Sequence, residues 1–303
     1  MRSLILLIAI ATSAIAEPPK EAPWETVAKF EAEELEEISG LAPSKNRANV
    51  FWAHNDSGGD AALHALDLEG NFLGSAEVQD VKNKDWEDLA AFTYRGNPYL
   101  LIADTGDNKF RRTTVRLHAV PEPTPNPDGT YTNTKVRAAW TLTCRYEDGP
   151  QDCEAIAVDQ QGQRVLLLNK DGKASVVYTI PLFPQPKTPT LIAKKLATLP
   201  HTANAANNIV SFLKAGVLGA RVTGMDISPE GTQAVVLTYT DIRLFKKQGK
   251  EEPWEQAFLR EPTTIALPTI YQPEAVCFSS DSQWIYVSSE ESPTPLVRFS
   301  VPK

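Results

Sequence analysis

The 303-residue chain is poor in the residues that usually carry soft-metal and redox chemistry: it has three cysteines, four histidines and two methionines. Cys144, Cys153 and Cys277 show none of the spacings of zinc or thiol–disulfide motifs. The histidines stand far apart, at 54, 64, 118 and 201, so no cluster competes for zinc or copper. There is no H-E-x-x-H, no P-loop and no G-x-S-x-G elbow. Positive charge is also short: 30 Lys and Arg against 38 Asp and Glu leave a net charge of −8. That balance excludes nucleic acid or an anionic membrane as the main partner. Past the N-terminus no run approaches the ~18 apolar residues that a membrane helix needs, so no membrane anchor is expected. Twenty-three prolines leave little room for long helices.

The chain opens MRSLILLIAIATSAIAEPPK, a charged start, a short apolar core and a small-residue Ala14-Ile15-Ala16 site. This pattern predicts a signal peptide over residues 1–16 and a secreted or periplasmic mature protein. In such a compartment a cysteine pair is expected, and Cys144 and Cys153, flanking RYEDGPQD, are the expected bridge.

What the chain does have is a repeat. Five similar openings begin at Glu37 (EISGLAPS), Glu87 (EDLAAFTY), Glu154 (EAIAVDQQG), Thr223 (TGMDISPEG, counting from its Thr) and Glu274 (EAVCFSSD), spaced by 50, 67, 69 and 51 residues. Each is followed by a second β-rich run (VFWAH, YLLIA, RVLLL, QAVVLTYT, WIYVSS), and most by a third and a fourth. Such periods fit propeller blades with loop insertions. The expected fold is an all-β propeller filling residues 17–303 as one domain, five blades by direct counting. Six remain open if residues 185–222 hide a degenerate blade, and a helical excursion is expected near 202–220. The last repeat lacks a fourth strand, so the N-terminal TVAKFEAEEL is expected to complete the last blade and close the ring.

In a blade, the start of the first strand and the end of the second share one face. Aligning the openings on Leu41, Ala91, Val158, Ile227 and Phe278 puts Glu37, Glu87, Glu154, Thr223 and Glu274 at one equivalent position, at the channel mouth. The second strands end in His54-Asn55-Asp56, in Asp104 with Asp107-Asn108, and in Asn169-Lys170. Gathered acids repel one another unless something neutralises them. A hard divalent cation such as Ca²⁺ would do so through Glu37, Asn55, Asp56, Glu87, Asp104, Asp107 and Glu274, with Lys170 or Arg112 as the competing neutralisers. For single motifs such as NDSGG, turn chemistry explains the same residues. His54 is a candidate general base and Glu154 a catalytic acid residue. Lys170 and Arg112 would hold an anionic group, and Trp86 suits stacking of a small-molecule or saccharide-like ligand.

ISGLAPS, HNDSGG, DWEDLA, DTGDN, DGPQDCEAIAVD, VTGMDISPEG and PEAV occur in that order. As a set they resemble a family of secreted bacterial β-propeller proteins, and more distantly the layout is similar to gluconolactonase-type, paraoxonase-type and phytase-like propellers. The resemblance implies a calcium or other divalent ion held by channel-mouth oxygens, often with a hydrolytic activity. Two functions from different classes follow as expectations: a metal-dependent hydrolase of a phosphoester, ester or lactone, or a non-catalytic propeller presenting the same face to a ligand or protein. Either is expected to be a monomer.

Overall fold

The computed structural model describes residues 24–170, 175–200 and 220–302. The expected signal peptide and most of the expected helical excursion lie outside them. After β1 (Glu25–Phe30) come five four-stranded units. Unit one is β2 (Ile38–Pro43), β3 (Val50–Asn55), β4 (Ala62–Asp67) and β5 (Phe72–Gln79). Unit two is β6 (Trp86–Tyr94), β7 (Asn97–Asp104) and β8 (Val115–Pro121), then, past the short β9 (Thr134–Arg137), β10 (Trp140–Tyr146). Unit three is β11 (Cys153–Asp159), β12 (Arg164–Asn169), β13 (Val176–Pro181) and β14 (Leu191–Thr198). Unit four is β15 (Val222–Ile227), β16 (Gln233–Thr238), β17 (Asp241–Lys246) and, past a one-turn helix α1 (Trp254–Ala257), β18 (Thr263–Ala266). Unit five is β19 (Pro273–Phe278), β20 (Trp284–Ser289) and β21 (Thr294–Ser300), completed by β1.

The second strands read as nearly unbroken apolar runs because both faces of each unit are covered. Along β12, Val165 and Leu167 pack toward unit two, and Leu166 and Leu168 toward unit four. Buried apolar side chains fall into five clusters, one at each interface between neighbouring units; the last joins unit five to unit one through Cys277, Tyr286, Leu41 and Phe51. The first strands touch in the same cyclic order, β2–β6–β11–β15–β19–β2. The described residues therefore form an all-β propeller. Each buried leucine contributes about 1.5–3 kcal/mol.

The N-terminal strand closes the ring as expected: β1 pairs antiparallel with β21, Glu25 opposite Arg298, and the Trp24 indole N–H donates to Ala266 O at 2.9 Å. One expected strand divides. The run KVRAAWTL has the length and pattern of one fourth strand, but β9 leaves unit two to pair parallel with β5 of unit one, and β10 alone completes unit two. Strand β10 also pairs parallel with β14, so units one to three are stitched along their outer edges. These pairings cover sheet edges that would otherwise offer open hydrogen bonds.

Cys144 and Cys153 depart from the expected bridge. All three cysteines are free, buried thiols. Cys144 sits on the outer strand of unit two and Cys153 opens the inner strand of unit three. Burial pushes both thiols up to about 12, so neither is a ready nucleophile.

Candidate functional site

Every first strand carries a β-bulge at the same place. The pairing slips past Ser39, Glu87, Glu154, Thr223 and Glu274, so each is the extra residue of its strand. A bulge leaves its residue out of the ladder and re-aims the side chain. Two residues before each bulge, a carbonyl accepts from the residue just past the second strand: Glu37 O from Asp56 N, Asp85 O from Thr105 N, Asp152 O from Lys170 N, Arg221 O from Tyr239 N and Gln272 O from Glu290 N, at 2.8–3.3 Å. One local design is thus written five times around the mouth.

This corrects the expected alignment. The bulge position of unit one is Ser39, and Glu37 stands two residues before it on the exposed rim. Three units, not four, place a glutamate in the bulge. The other two use hydroxyls bonded to the next unit's backbone: Ser39 Oγ donates to Glu87 O at 2.7 Å and Thr223 Oγ to Pro273 O at 2.8 Å. Glu87, Glu154 and Glu274 are left facing the mouth, all nearly buried.

Two acid triplets meet at Glu87. Asp56, Asp85 and Glu87 bring carboxylate oxygens within 4.8 Å of one another, and so do Glu87, Asp152 and Glu154. Lys170 Nζ lies 2.8 Å from Glu154 Oε2, and Tyr239 OH donates to Glu274 Oε1 at 2.7 Å. The other oxygen of Glu154 is buried with no N–H or hydroxyl donor among the described residues, and the Glu87 carboxyl is its neighbour there. One wall is Gly106: a Cβ there would overlap Glu87 Oε1 and the Asp85 carboxylate, so any other residue would push both acids aside. Its neighbour Asp107 donates its N–H to Asp152 Oδ1 at 2.8 Å.

Burial, reinforced by neighbouring acids, pushes Glu87 well above the ordinary carboxylate range. Burial also raises Glu154 to about 7, Glu274 to about 8 and Asp85 to about 6. Lysine 170 goes the other way: burial alone would lower it, but Glu154 and Glu274 hold its ammonium charged. The mouth is therefore lopsided. On the side of units three to five, Lys170 and Tyr239 compensate Glu154 and Glu274. On the side of units one to three, Asp56, Asp85, Glu87 and Asp152 are gathered with no cation or phenol bonded to them among the described residues, and Lys170 eases Asp56 and Glu87 only through space. Asp85 feels Arg112 only at a distance.

The remaining sequence candidates fall elsewhere. Asp104 pairs with Arg112 at 2.8 Å, and Arg112 also donates to Gly106 O and Asp104 O, so this pair braces the wall from behind. Asp107 accepts the N–H groups of Arg111 and Arg112 and so closes its own loop. Asn55 donates to Glu34 O at 2.7 Å at the rim. His54 is fully buried beside Trp86, rings edge-on at 5.4 Å, with Nδ1 against Asn55 O; burial lowers its pKa and keeps it neutral. Trp86 lies wholly in the core between units one and two and shows no face to a ligand. Asp85 and Asp152, beside the bulge glutamates in sequence, and Tyr239, at the end of a second strand, join the cluster although they are not among the expected ligands or catalytic residues. Their signal was positional: Asp85 and Asp152 each stand two residues before a bulge glutamate.

No family model and no curated protein sequence matches the chain. Solved structures of related shape include a protein provisionally named 6-phosphogluconolactonase from Bacteroides uniformis (15% identity, 87% of this chain and 67% of that one, TM-score 0.41). A luciferin-regenerating enzyme matches at 10% identity over 92% of this chain and 95% of its own, TM-score 0.48. A gluconolactonase from Xanthomonas campestris matches at 10% identity over 93% and 90%, TM-score 0.46. Likeness at this level assigns neither family nor activity to this chain.

Proposed function

We propose that the channel mouth binds a hard divalent cation, Ca²⁺ the first candidate, and serves a hydrolase of small esters or lactones. The observation that carries this reading is the meeting of two acid triplets at Glu87, one buried and one half-buried. Such a donor set fits the cation: all oxygen, several carboxylates, on short loops that tolerate an adaptable shell. Asp56, Asp85, Glu87 and Asp152 would hold it, with Glu154 at the edge.

A bound cation would supply Lewis acidity, drawing electron density from a substrate carbonyl and making water a better nucleophile near neutral pH. The chain's own residues do the rest. Glu154, raised to about 7, can take a proton and return it at neutral pH. Glu274, raised to about 8 and anchored by Tyr239, still holds a proton that a leaving oxygen could accept. Lys170 stays charged beside Glu154 and can steady developing negative charge. Exposed Glu37 and half-buried Glu290 and Asp56 ring the entrance. Like charge at that rim favours a neutral ester or lactone over a phosphoester.

Turnover of aryl esters and lactones, measured with chelated protein and again with Ca²⁺, Mg²⁺ or Mn²⁺ restored, tests this reading. Activity should require the added cation and fall about 100-fold in Glu154→Gln with the fold intact. Full activity in metal-stripped protein would overturn it. A second reading, a binding propeller, draws on the ion pair Lys170–Glu154 and the bond Tyr239–Glu274, which leave half the mouth internally satisfied. It predicts cation binding with no substrate class turned over.

A further inference from the structure

The four acids gathered at the mouth are not held alike. Asp56 leads into the exposed turn 57–60, where a Cβ at Gly58 or Gly59 would touch nothing, and its carboxylate accepts the adjacent Ser57 N–H. Asp85, Glu87 and Asp152 are instead set by one short segment that leaves β7. Thr105 N and Gly106 N both donate to Asp85 O, at 3.1 and 3.2 Å. Gly106 presses on the Asp85 and Glu87 carboxylates without room for a Cβ. Asp107 N donates to Asp152 Oδ1 at 2.8 Å. Thr105 Oγ1 donates to Cys153 O at 2.8 Å, between Asp152 and Glu154. Three consecutive residues of unit two thus touch the acids, or their backbone, in both unit two and unit three.

This segment is itself latched by Arg112. The side chain doubles back to give Nη1 to Gly106 O at 2.9 Å and Nη2 to Asp104 O at 3.0 Å, with the Asp104 carboxylate 2.8 Å away. Asp107 closes the loop by accepting Arg111 N and Arg112 N. Arg112 bonds none of the four acids. Its charge reaches Asp85 only through space, where it favours the ionised carboxyl and opposes any cation beside it. As a charge, then, Arg112 works against a cation; as a planar fork it fixes the frame in which the acids stand. Lysine could supply the charge but not the fork.

We propose that Arg112 is a positioning residue that gives the mouth a preference for Ca²⁺ over Mg²⁺. This rests on the reading of the mouth as a cation site. Ca²⁺ takes its oxygens at about 2.3–2.6 Å in an adaptable shell, whereas Mg²⁺ demands about 2.0–2.1 Å in a near-ideal octahedron. A frame latched across two units cannot draw Asp85, Glu87 and Asp152 inward to the shorter shell. Asp56, on its open turn, completes the wider one. Groups that orient metal ligands without touching the metal typically change affinity by about 10- to 100-fold.

The test is calorimetric titration of metal-stripped protein with Ca²⁺ and with Mg²⁺ near pH 7, alongside thermal melts of the metal-free protein. The parent should prefer Ca²⁺. Arg112→Gln should weaken Ca²⁺ about tenfold and change Mg²⁺ less than about twofold, so the preference narrows about tenfold. Arg112→Lys keeps the charge, loses the fork and should behave like Arg112→Gln. Thr105→Val frees the segment from unit three with no change of charge and should narrow the preference about threefold; it carries the test where an Arg112 variant fails to fold. Tighter Ca²⁺ binding in Arg112→Gln, with Arg112→Lys like the parent, would show that only the charge acts and would overturn the proposal. So would variants that melt lower yet keep the parent's preference, or lose both ions in equal proportion. A parent that binds neither ion would overturn the reading of the mouth, and this proposal with it.

Discussion

Glu87 and Asp88 are neighbours in sequence, both acidic and both nearly or fully buried, yet the fold treats them in opposite ways. Asp88 faces the channel axis, where the backbone supplies donors: Leu89 N, Ile156 N and Met225 N, from three different units, at 2.8–3.3 Å. Asp226 repeats the device with Ile227 N and Phe278 N at 2.8 Å. One residue earlier, the bulge turns Glu87 to the mouth, where its close neighbours are Asp56, Asp85, Asp152 and Glu154. A buried carboxyl given amides is a rivet between blades, even though burial lifts Asp88 well above the ordinary carboxylate range and Asp226 to about 6. A buried carboxylate given other carboxylates needs a proton or a cation. The two residues differ by one step along a strand, which in a pleated sheet decides the face.

The largest effect separating them should be on activity. Glu87→Gln removes the oxygen that both triplets share and should lower cation-dependent turnover about 100- to 1000-fold, with stability changed by no more than ~1 kcal/mol. Asp88→Ala should do the reverse in kind. It leaves three buried N–H groups without an acceptor and should cost about 3–6 kcal/mol in urea unfolding, whether or not a cation is present. Equal loss of stability in the two variants would erase the distinction. Gly106→Ala comes next: its Cβ displaces Glu87 and Asp85, and cation affinity should fall about tenfold while the blades stay folded.

The pH response sharpens the same contrast. Unfolded, Asp85, Glu154 and Glu274 would lose their protons near pH 4. Folded, burial holds those protons to about 6, 7 and 8 respectively. Across that window the unfolded chain binds fewer protons than the folded one, so stability without a cation should fall as pH rises. It is fully present below the unfolded values and is lost as pH climbs through the folded ones. Thermal melts between about pH 5 and about pH 8 will show this decline, and added Ca²⁺ should reduce it by taking the place of the protons at Asp85 and Glu154, leaving the share of Glu274, which is not a ligand, and of Asp226, raised by burial to about 6. The smallest effect belongs to Glu37→Gln: at the exposed rim it should change cation affinity less than about twofold, mostly at low salt.

The blades were legible in sequence because middle strands covered on both faces must be apolar, and β12 and β16 announce themselves as such. Ring closure by β1 followed from a missing strand. The register of unit one was not legible. Aligning Leu41 with Ala91 slid that unit by two residues, where Pro43 is the true equivalent. A slip of two keeps side-chain parity, so every apolar residue still faced inward and nothing signalled the error. It promoted Glu37 to the ring and hid Ser39. Asp104 and Asp107 looked like ligands for a similar reason: their strand ends at the mouth, but Arg112 and two backbone amides take them, and neither partner is visible without the loop's path. The end of its strand puts Tyr239 at the mouth, but no pattern announces that its phenol will reach a glutamate 35 residues on.

The central claim is that Glu87 and its neighbours hold protons where a cation belongs. Calorimetric titration of purified, metal-stripped protein with Ca²⁺ near pH 7, repeated in buffers of different ionisation enthalpy, tests it directly. The account predicts saturable binding that releases protons, about one per cation from the Glu87–Glu154 pair, and that disappears in Glu87→Gln. Absence of binding, or binding that releases no protons and survives Glu87→Gln, would contradict it.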